Sequence, residues 1–239
     1  PDFLVVVDYG RIIPPAMINL PRQAAINVHP SLLPAYRGPA PLVWCLLNGE
    51  EKTGVTVQLL AEKVDTGAIL LQEEFILPPC ITLSELENHL SHRGAALLWQ
   101  ALEAWPAGRL TPRPQDESLA SYAPLLKKSD GLLDWQQPAA ALERRVRALN
   151  PRPGTYTFWR GDRLKILAAE LPAAPAGDAD SRPGTVITTG DALQVACGGG
   201  SRLQVTRLQA ANKPPRSAAD FLRGSRLATG ERFTTAPQD

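Results

Sequence analysis

The chain has 239 residues, of which 44% are hydrophobic and 21% charged, an ordinary composition for a globular protein of one large or two modest domains. No run of about 18 apolar residues is present, so no membrane-spanning helix is predicted. The net charge of +1 conceals an asymmetry, because residues 1–129 carry 10 basic and 13 acidic side chains whereas residues 130–239 carry 15 and 11. The second half is therefore the candidate for binding a polyanion such as nucleic acid.

Residues 1–107 predict an α/β domain. Leu4–Val7 is a continuous, β-branched apolar run, typical of a strand buried on both faces of a parallel sheet. Such a strand belongs in the middle of a sheet, so we expect the chain to begin inside a domain whose earlier strands are absent. Further strands are predicted at residues 24–29, 54–61 and 68–78, and helices at 40–50 and 82–105, the latter with a capping box of Thr82 and Glu85.

The remaining residues predict a linker and a small all-β domain. Residues 108–128 are rich in proline and polar side chains without a period, which is typical of a linker. Short strands with Gly-Asp turns then recur regularly, which predicts a β-barrel over residues 129–239. Those strands lie at 154–161, 162–171, 184–190, 191–200 and 201–209, with helices at 138–150 and 217–225 and a mobile loop at 174–184.

The second predicted strand ends in two polar residues, Asn27 and His29. Side chains two residues apart on a strand share a face, and ligands bind at the carboxyl ends of strands in open α/β sheets. An amide donor beside an imidazole suits a reaction in which a carbonyl oxygen gains charge and an amine loses a proton. Asp65, in the turn after the next strand, is the best-placed carboxylate to orient the imidazole. Taken alone, however, a strand-end His is more often solvated or hydrogen-bonded than catalytic, and Asp-Thr-Gly is a common turn.

Several other site classes find no support in the sequence. A G-x-S-x-G nucleophile elbow, a Walker A loop and a G-x-G-x-x-G fingerprint are all missing. His89 and His92 lie three apart on the long helix, but no third ligand accompanies them, so no metal site is predicted. The three cysteines, Cys45, Cys80 and Cys197, have neither disulfide-framework nor zinc spacing, which favours a reducing cytoplasm.

Taken in order, the motifs "NVHPSLLPAYRGPAP", "NGEEKTGVTV" and "VDTGAILLQ" resemble the folate-dependent formyltransferases. Within that superfamily the chain is most similar to the members that act on tRNA, because "LLDWQQPAAALERRVRALNPRPGTY", "PGTVI" and "ADFLRGSR" resemble their C-terminal domain. The resemblance implies a partial Rossmann-like formyltransferase domain, a linker and an OB-like β-barrel that binds tRNA. It also implies transfer of a formyl group from the co-substrate 10-formyltetrahydrofolate to the amino group of initiator methionyl-tRNA, without a metal.

The same resemblance assigns roles to individual residues. Asn27, His29 and Asp65 would form the catalytic trio, with Asn27 and a protonated His29 stabilising the oxyanion and either His29 or a water held by Asp65 taking the amine proton. For Arg37, a salt bridge that fixes its loop is an equal alternative to substrate contact. The folate site would comprise Tyr9, Gly10, Arg11, Ile12, Ile13, Val64 and Asp65, and the substrate and tRNA site Ser31, Leu32, Leu33, Pro34, Arg37, Gly38, Arg144, Arg147 and Arg152, with Arg145, Lys165, Lys213 and Arg216 as further candidates.

Two other functions remain compatible with the sequence. One is a different 10-formyltetrahydrofolate-dependent enzyme, such as a nucleotide-sugar formyltransferase or a hydrolase. The other is a non-catalytic RNA-binding fragment, which the intact Asn27, His29 and Asp65 argue against. We expect a cytoplasmic monomer. Members of the family have an α/β segment ahead of "PDFLVVV", including a basic loop that enters the tRNA, so its absence here would leave the folate pocket incomplete.

Overall fold

The computed structural model describes residues 1–173 and 181–237. Its longer helices and strands overlap the predicted ones, whereas the two-residue strand Arg216–Ser217 was not predicted. Two compact units are present, Pro1–Leu125 and Leu126–Asp239. The first contains β1 (Phe3–Val7), α1 (Pro15–Ile18), β2 (Ala24–His29), α2 (Pro41–Asn48), β3 (Lys52–Leu59), β4 (Ile69–Ile76) and α3 (Leu83–Ala104). The second contains α4 (Ala139–Leu149), β5 (Thr155–Trp159), β6 (Asp162–Glu170), β7 (Val186–Thr189), β8 (Ala192–Ala196), β9 (Arg202–Ala210), β10 (Arg216–Ser217) and α5 (Ala218–Gly224).

The sheet of the first unit has the order β1-β2-β3-β4 and is mixed rather than parallel. Only β1 and β2 are parallel; β2 with β3 and β3 with β4 are antiparallel. Within the described residues β1 lies at the edge of this sheet with β2 as its neighbour, and Val7 is 57% exposed, so the expectation that further strands flank β1 stays a prediction. The expected capping box is confirmed: the Thr82 hydroxyl accepts from the Glu85 N–H, and the Glu85 carboxylate accepts from the Thr82 N–H.

Helix α3 covers one face of this sheet and thereby determines which face is available to a ligand. A Cβ atom added at Gly94 would lie 3.1 Å from Val28 Cγ1 and 3.4 Å from Val55 Cγ1, so the helix backbone approaches the sheet closely at this glycine. Because side chains alternate along β2, Val28 faces α3 while Asn27 and His29 project from the opposite face. Close helix packing on one face therefore directs the polar pair to the other.

The segment predicted as a linker is largely part of the first unit. Arg113 exchanges two backbone hydrogen bonds with Ile69, at 2.8 and 2.9 Å. Further along, the Arg37 N–H donates to Ser121 O at 2.9 Å and the Ala123 N–H donates to Arg37 O at 2.7 Å. Residues 113–123 thus cross the loop that follows β2, an arrangement that local composition does not encode.

The second unit is an antiparallel sheet with the order β5-β6-β9-β8-β7, and β10 also pairs with β9. Its core contains side chains from the sheet and from α4 and α5, such as Leu142 and Phe221, together with Trp135 from the segment before α4. The predicted Ser217 cap is confirmed, since its hydroxyl accepts from the Asp220 N–H. The C-terminal residues contact both edge strands: Thr234 exchanges hydrogen bonds with Phe158 of β5, and the Val186 N–H of β7 donates to Glu231 O.

Two further observations concern the chain as a whole. None of the helices within residues 1–173 and 181–237 is both long and apolar enough to cross a membrane. The mobile loop predicted at 174–184 lies mostly outside the described residues.

Candidate active site

Asp65 is the centre of a hydrogen-bonded cluster that includes Asn27 and His29. Its Oδ1 accepts from Asn27 Nδ2 at 3.3 Å and from Gln58 Nε2 at 3.1 Å, and its Oδ2 accepts from the Gly38 N–H at 2.8 Å. Three N–H donors on one carboxyl group suit the ionised form, which only accepts. The three residues predicted from the sequence therefore meet at one place, around an acceptor-only carboxylate.

His29 is oriented by the backbone of the following loop. Its Nε2 lies 2.9 Å from Tyr36 O, and a carbonyl can only accept, so Nε2 carries the hydrogen. Nδ1 is consequently the unprotonated nitrogen, and it faces Asp65 Oδ2 at 3.6 Å. A proton arriving at Nδ1 would be stabilised by the Asp65 carboxylate.

Burial sets the protonation state of this imidazole. His29 is only 5% exposed, and desolvation lowers its pKa below the ordinary value; the Asp65 charge and the Tyr36 hydrogen bond act in the opposite direction but do not prevail. His29 is thus neutral at pH 7. This favours a proton acceptor over the protonated oxyanion donor expected from the resemblance.

A cavity opens next to Asn27 and Asp65. Six of the seven residues predicted to bind folate line it, and Gly10 does not. The sequence interpretation missed five lining residues, although each lies within five positions of a predicted one. The lining consists of Val6, Tyr9, Arg11, Ile12, Ile13, Ile18, Asn27, Leu60, Ala61, Glu62, Val64 and Asp65.

The loop after β2 is held by hydrogen bonds within the loop and to β3. The buried Ser31 hydroxyl donates to Ala35 O at 2.6 Å. Leu33 is buried, and its N–H donates to Thr56 Oγ1 at 3.2 Å. Of the remaining loop residues predicted to contact substrate, Leu32 and Pro34 are half-buried. The loop conformation therefore serves to position Gly38 and the Tyr36 carbonyl.

Arg37 is a structural anchor in this arrangement. It is 8% exposed, and its guanidinium donates to Gln115 Oε1 and to both carboxylate oxygens of Glu117 at 2.7–3.1 Å. The salt-bridge alternative thus describes Arg37 better than direct substrate contact. Gly38 has a φ of +109°, and a Cβ there would lie 2.9 Å from Ala123 O, so only glycine fits while donating to Asp65.

A family model described as formyl transferase matches residues 1–102, and one described as formyl transferase, C-terminal domain, matches residues 125–226. The methionyl-tRNA formyltransferase of Synechococcus sp. (strain JA-3-3Ab) is 46% identical over 241 residues, which cover 99% of this chain and 74% of that protein. The chain belongs to the methionyl-tRNA formyltransferase family.

Solved structures share the fold of this family member at lower identity. HypX from Aquifex aeolicus has a TM-score of 0.71 at 20% identity, over 98% of this chain and 42% of the HypX chain. The N-formyltransferase from Helicobacter canadensis has a TM-score of 0.67 at 17% identity, over 85% of this chain and 71% of that one. At these identities the similarity concerns the mixed α/β fold.

In the second unit of this methionyl-tRNA formyltransferase family member, the predicted basic residues have different environments. Arg147 forms an ion pair with Glu143 at 3.1 Å, and Arg145 Nε donates to Asp130 O at 2.9 Å, so both side chains are engaged within the unit. Arg152 is exposed, and Arg144 is half-buried. Lys165, Lys213 and Arg216 are exposed. Arg145 and Arg147 of α4 therefore contribute contacts within the unit. Lys165, Lys213 and Arg216 are the candidates whose charged groups are exposed to a polyanion.

Proposed function

We propose that the chain transfers the formyl group of 10-formyltetrahydrofolate to the amino group of initiator methionyl-tRNA. The observation that carries the proposal is the convergence of Asn27, His29 and Asp65 beside a cavity lined by six of the seven residues expected to bind folate. HypX, whose fold is similar, has been crystallised with tetrahydrofolic acid. We place the folate in this cavity, where Val6, Ile13 and Val64 supply apolar contacts.

The geometry supports the following division of roles. Asn27 uses one amide N–H on Asp65 and can direct its second N–H to the oxygen that becomes negative when the amine attacks the formyl carbon. His29 Nδ1 would accept the proton released by the amine. Since Asn27 and Asp65 line the cavity and His29 lies behind Asp65, we propose that a water held by Asp65 carries this proton to His29.

A formylation assay tests the proposed substrate. We expect formyl transfer to charged initiator tRNA and none to a nucleotide-linked amino sugar, since the second unit adds a basic surface. The alternative has a specific basis, because the similar Helicobacter canadensis enzyme was solved with dTDP-3-aminofucose. Transfer to the amino sugar without transfer to tRNA would establish that alternative, and binding of tRNA without any transfer would indicate a non-catalytic RNA-binding module.

We further propose that tRNA binds the outer face of β5 and β6 in an OB-like barrel. Tyr156 pairs with Lys165 and Phe158 with Arg163 across the two strands, and the alternating Thr155 and Thr157 are buried. The Arg163 guanidinium lies 3.5 Å from the centre of the Tyr156 ring, and that ring contacts Phe158 edge-on. Aromatic side chains alternating with cations suit phosphates and stacked bases.

Replacing Arg163 and Lys165 together by glutamine should raise KM for tRNA and leave KM for the folate unchanged. Each lost phosphate contact should reduce the slope of log affinity against log salt by about one. The matched control is the double variant Arg22→Gln/Lys52→Gln, whose exposed side chains form ion pairs with Asp2 and Glu74. If the slope of log affinity against log salt is the same for both double variants, the outer face of β5 and β6 is not part of the tRNA site.

The same proposal covers the location and assembly of the protein. We propose that it acts as a monomer in the cytoplasm, where a reducing environment suits its scattered cysteines. The reaction as proposed needs no metal.

A further inference from the structure

We infer that Gln115 is a positioning residue for formyl transfer, acting through Gln58 and Asp65 on His29. The inference depends on the proposed function for its effect on rate, but its structural part can be measured without any substrate. Gln115 lies in the proline-rich segment after α3, 50 residues from Asp65 in sequence. Nothing in its local sequence indicates a role in the active site.

The orientation of the Gln115 amide is determined by Arg37. Arg37 Nε and Nη2 donate to Gln115 Oε1 at 3.1 and 2.7 Å. A guanidinium has only donors, so the Gln115 oxygen must face it and the amide nitrogen must face the opposite way. Arg37 is itself anchored by Glu117, whose two oxygens accept from Nη1 at 2.9 Å and from Nη2 at 2.7 Å.

Gln115 Nε2 then faces three oxygen atoms at the Asp65 turn. They are Asp65 O at 2.9 Å, Gly67 O at 2.8 Å and Gln58 Oε1 at 3.2 Å. An amide nitrogen has two hydrogens, so the longest of these contacts, to Gln58 Oε1, shares a hydrogen with one of the two carbonyl bonds. That contact is favourable only when Gln58 directs its oxygen towards Gln115 and its nitrogen away. That nitrogen donates to Asp65 Oδ1 at 3.1 Å. Each group in this series therefore donates to the next: Arg37 to Gln115, Gln115 to Gln58, and Gln58 to the Asp65 carboxylate.

Asp65 needs such support because its backbone is in an unfavourable conformation. Its φ is +55°, in the left-handed region that residues other than glycine rarely occupy. Gln115 donates a hydrogen bond to the Asp65 backbone carbonyl. Through Gln58 it also orients the Asp65 carboxylate, which faces His29 Nδ1. Without Gln115 both constraints would weaken, and the carboxylate would move away from the imidazole.

The pKa of His29 distinguishes positioning from simple packing. The Asp65 charge raises this pKa and burial lowers it. If Gln115 positions Asp65, its removal should lower the pKa of His29 further, because the raising charge moves away. If Gln115 only packs the site, its removal should admit water and raise the pKa towards 6.5.

The experiment is a pH titration of the ¹⁵N-histidine-labelled full chain by NMR, comparing wild type with Gln115→Met. The chain has three histidines, and His89→Gln and His92→Gln assign the other two signals. We expect the Nε2–H tautomer in the wild type and a midpoint at lower pH for His29 in Gln115→Met. The control is Gln100→Met, an exposed glutamine on α3, which should leave the midpoint unchanged. An unchanged or raised midpoint in Gln115→Met would overturn the inference.

Transfer kinetics provide a second readout. Gln115→Met should lower kcat by about 10- to 100-fold with little change in KM for either substrate, because a displacement of about 1 Å at the reacting groups has an effect of this size. The double variant Gln58→Met/Gln115→Met should be no slower than the slower single variant, since both act on the same carboxylate. Additive losses would contradict the relay.

Misfolding of the variant and failure of the proposed function can each be distinguished from failure of the positioning role. If Gln115→Met does not fold, Gln115→Glu keeps oxygen atoms for Arg37 but loses the N–H donors, and the same loss of kcat is expected. An inactive wild type would contradict the proposed function, whereas a fully active Gln115 variant beside an active wild type would contradict only the positioning role.

Discussion

Replacing His29 by alanine is expected to lower kcat for formyl transfer by about 10²- to 10⁴-fold, the usual contribution of a positioned proton acceptor. The affinity for tRNA should change little, because His29 is buried in the first unit and its polar contacts are with Tyr36 and Asp65. Steady-state kinetics and tRNA binding measured on the same preparation check both statements.

The matched control for this variant is His92→Ala. His92 is exposed on α3 and its ring bonds only the backbone of Asn88 among the contacts described, so kcat should be unaffected. A His29→Ala protein that transfers formyl groups at the wild-type rate would remove this residue from the mechanism.

The pH dependence of the wild type reports the same imidazole. Because burial holds the pKa of His29 below 6.5, Nδ1 is available throughout the neutral range, and kcat measured with saturating tRNA and folate should decline as the pH falls through that lowered value. kcat is the quantity to follow because kcat/KM also reports the protonation of the free methionyl amine. A protonated His29 acting as an oxyanion donor would give the opposite result, with activity rising as the pH falls through the pKa. Whether activity falls or rises on acidification thus distinguishes a His29 that accepts a proton from a His29 that stabilises the oxyanion.

Replacing Asn27 by alanine should reduce kcat by about 10²- to 10³-fold, corresponding to about 3–4 kcal/mol of transition-state stabilisation from one oxyanion donor. The substitution also removes one hydrogen bond to the Asp65 carboxylate, which keeps those from Gln58 and Gly38. Kinetics with saturating folate and tRNA measure the effect, and the melting temperature shows whether the fold survives.

Asn88→Ala is the control for Asn27→Ala, because Asn88 is an exposed asparagine on α3 away from the cavity. It should leave kcat and the melting temperature close to the wild-type values. An Asn27→Ala protein with a wild-type kcat but a raised KM for folate would assign Asn27 to binding rather than to oxyanion stabilisation.

Local patterns in the sequence predicted most of the longer elements of both units. The two-residue period of β2 placed Asn27 and His29 on one face, and Thr82 with Glu85 marked the start of α3. These features depend on residues within a few positions of one another, which is why they can be inferred without a structure.

The role of residues 113–123 could not be predicted in this way. The proline-rich composition after α3 is typical of a linker, but Arg113 and Ala123 pair with backbone groups far away in sequence. Such pairing depends on the position of the whole sheet rather than on local propensity.

The sequence by itself determined which residue types stand at the site: an amide and an imidazole two apart on a strand, a carboxylate in a later turn, and a basic second half. Only the tertiary structure decided how they act. It placed Asp65 3.6 Å from His29 and buried the imidazole, which lowers its pKa, and it brought Gln115 against the Asp65 turn. Distances and burial arise from contacts between residues that are 36 to 50 positions apart, and no periodicity in the chain specifies those contacts.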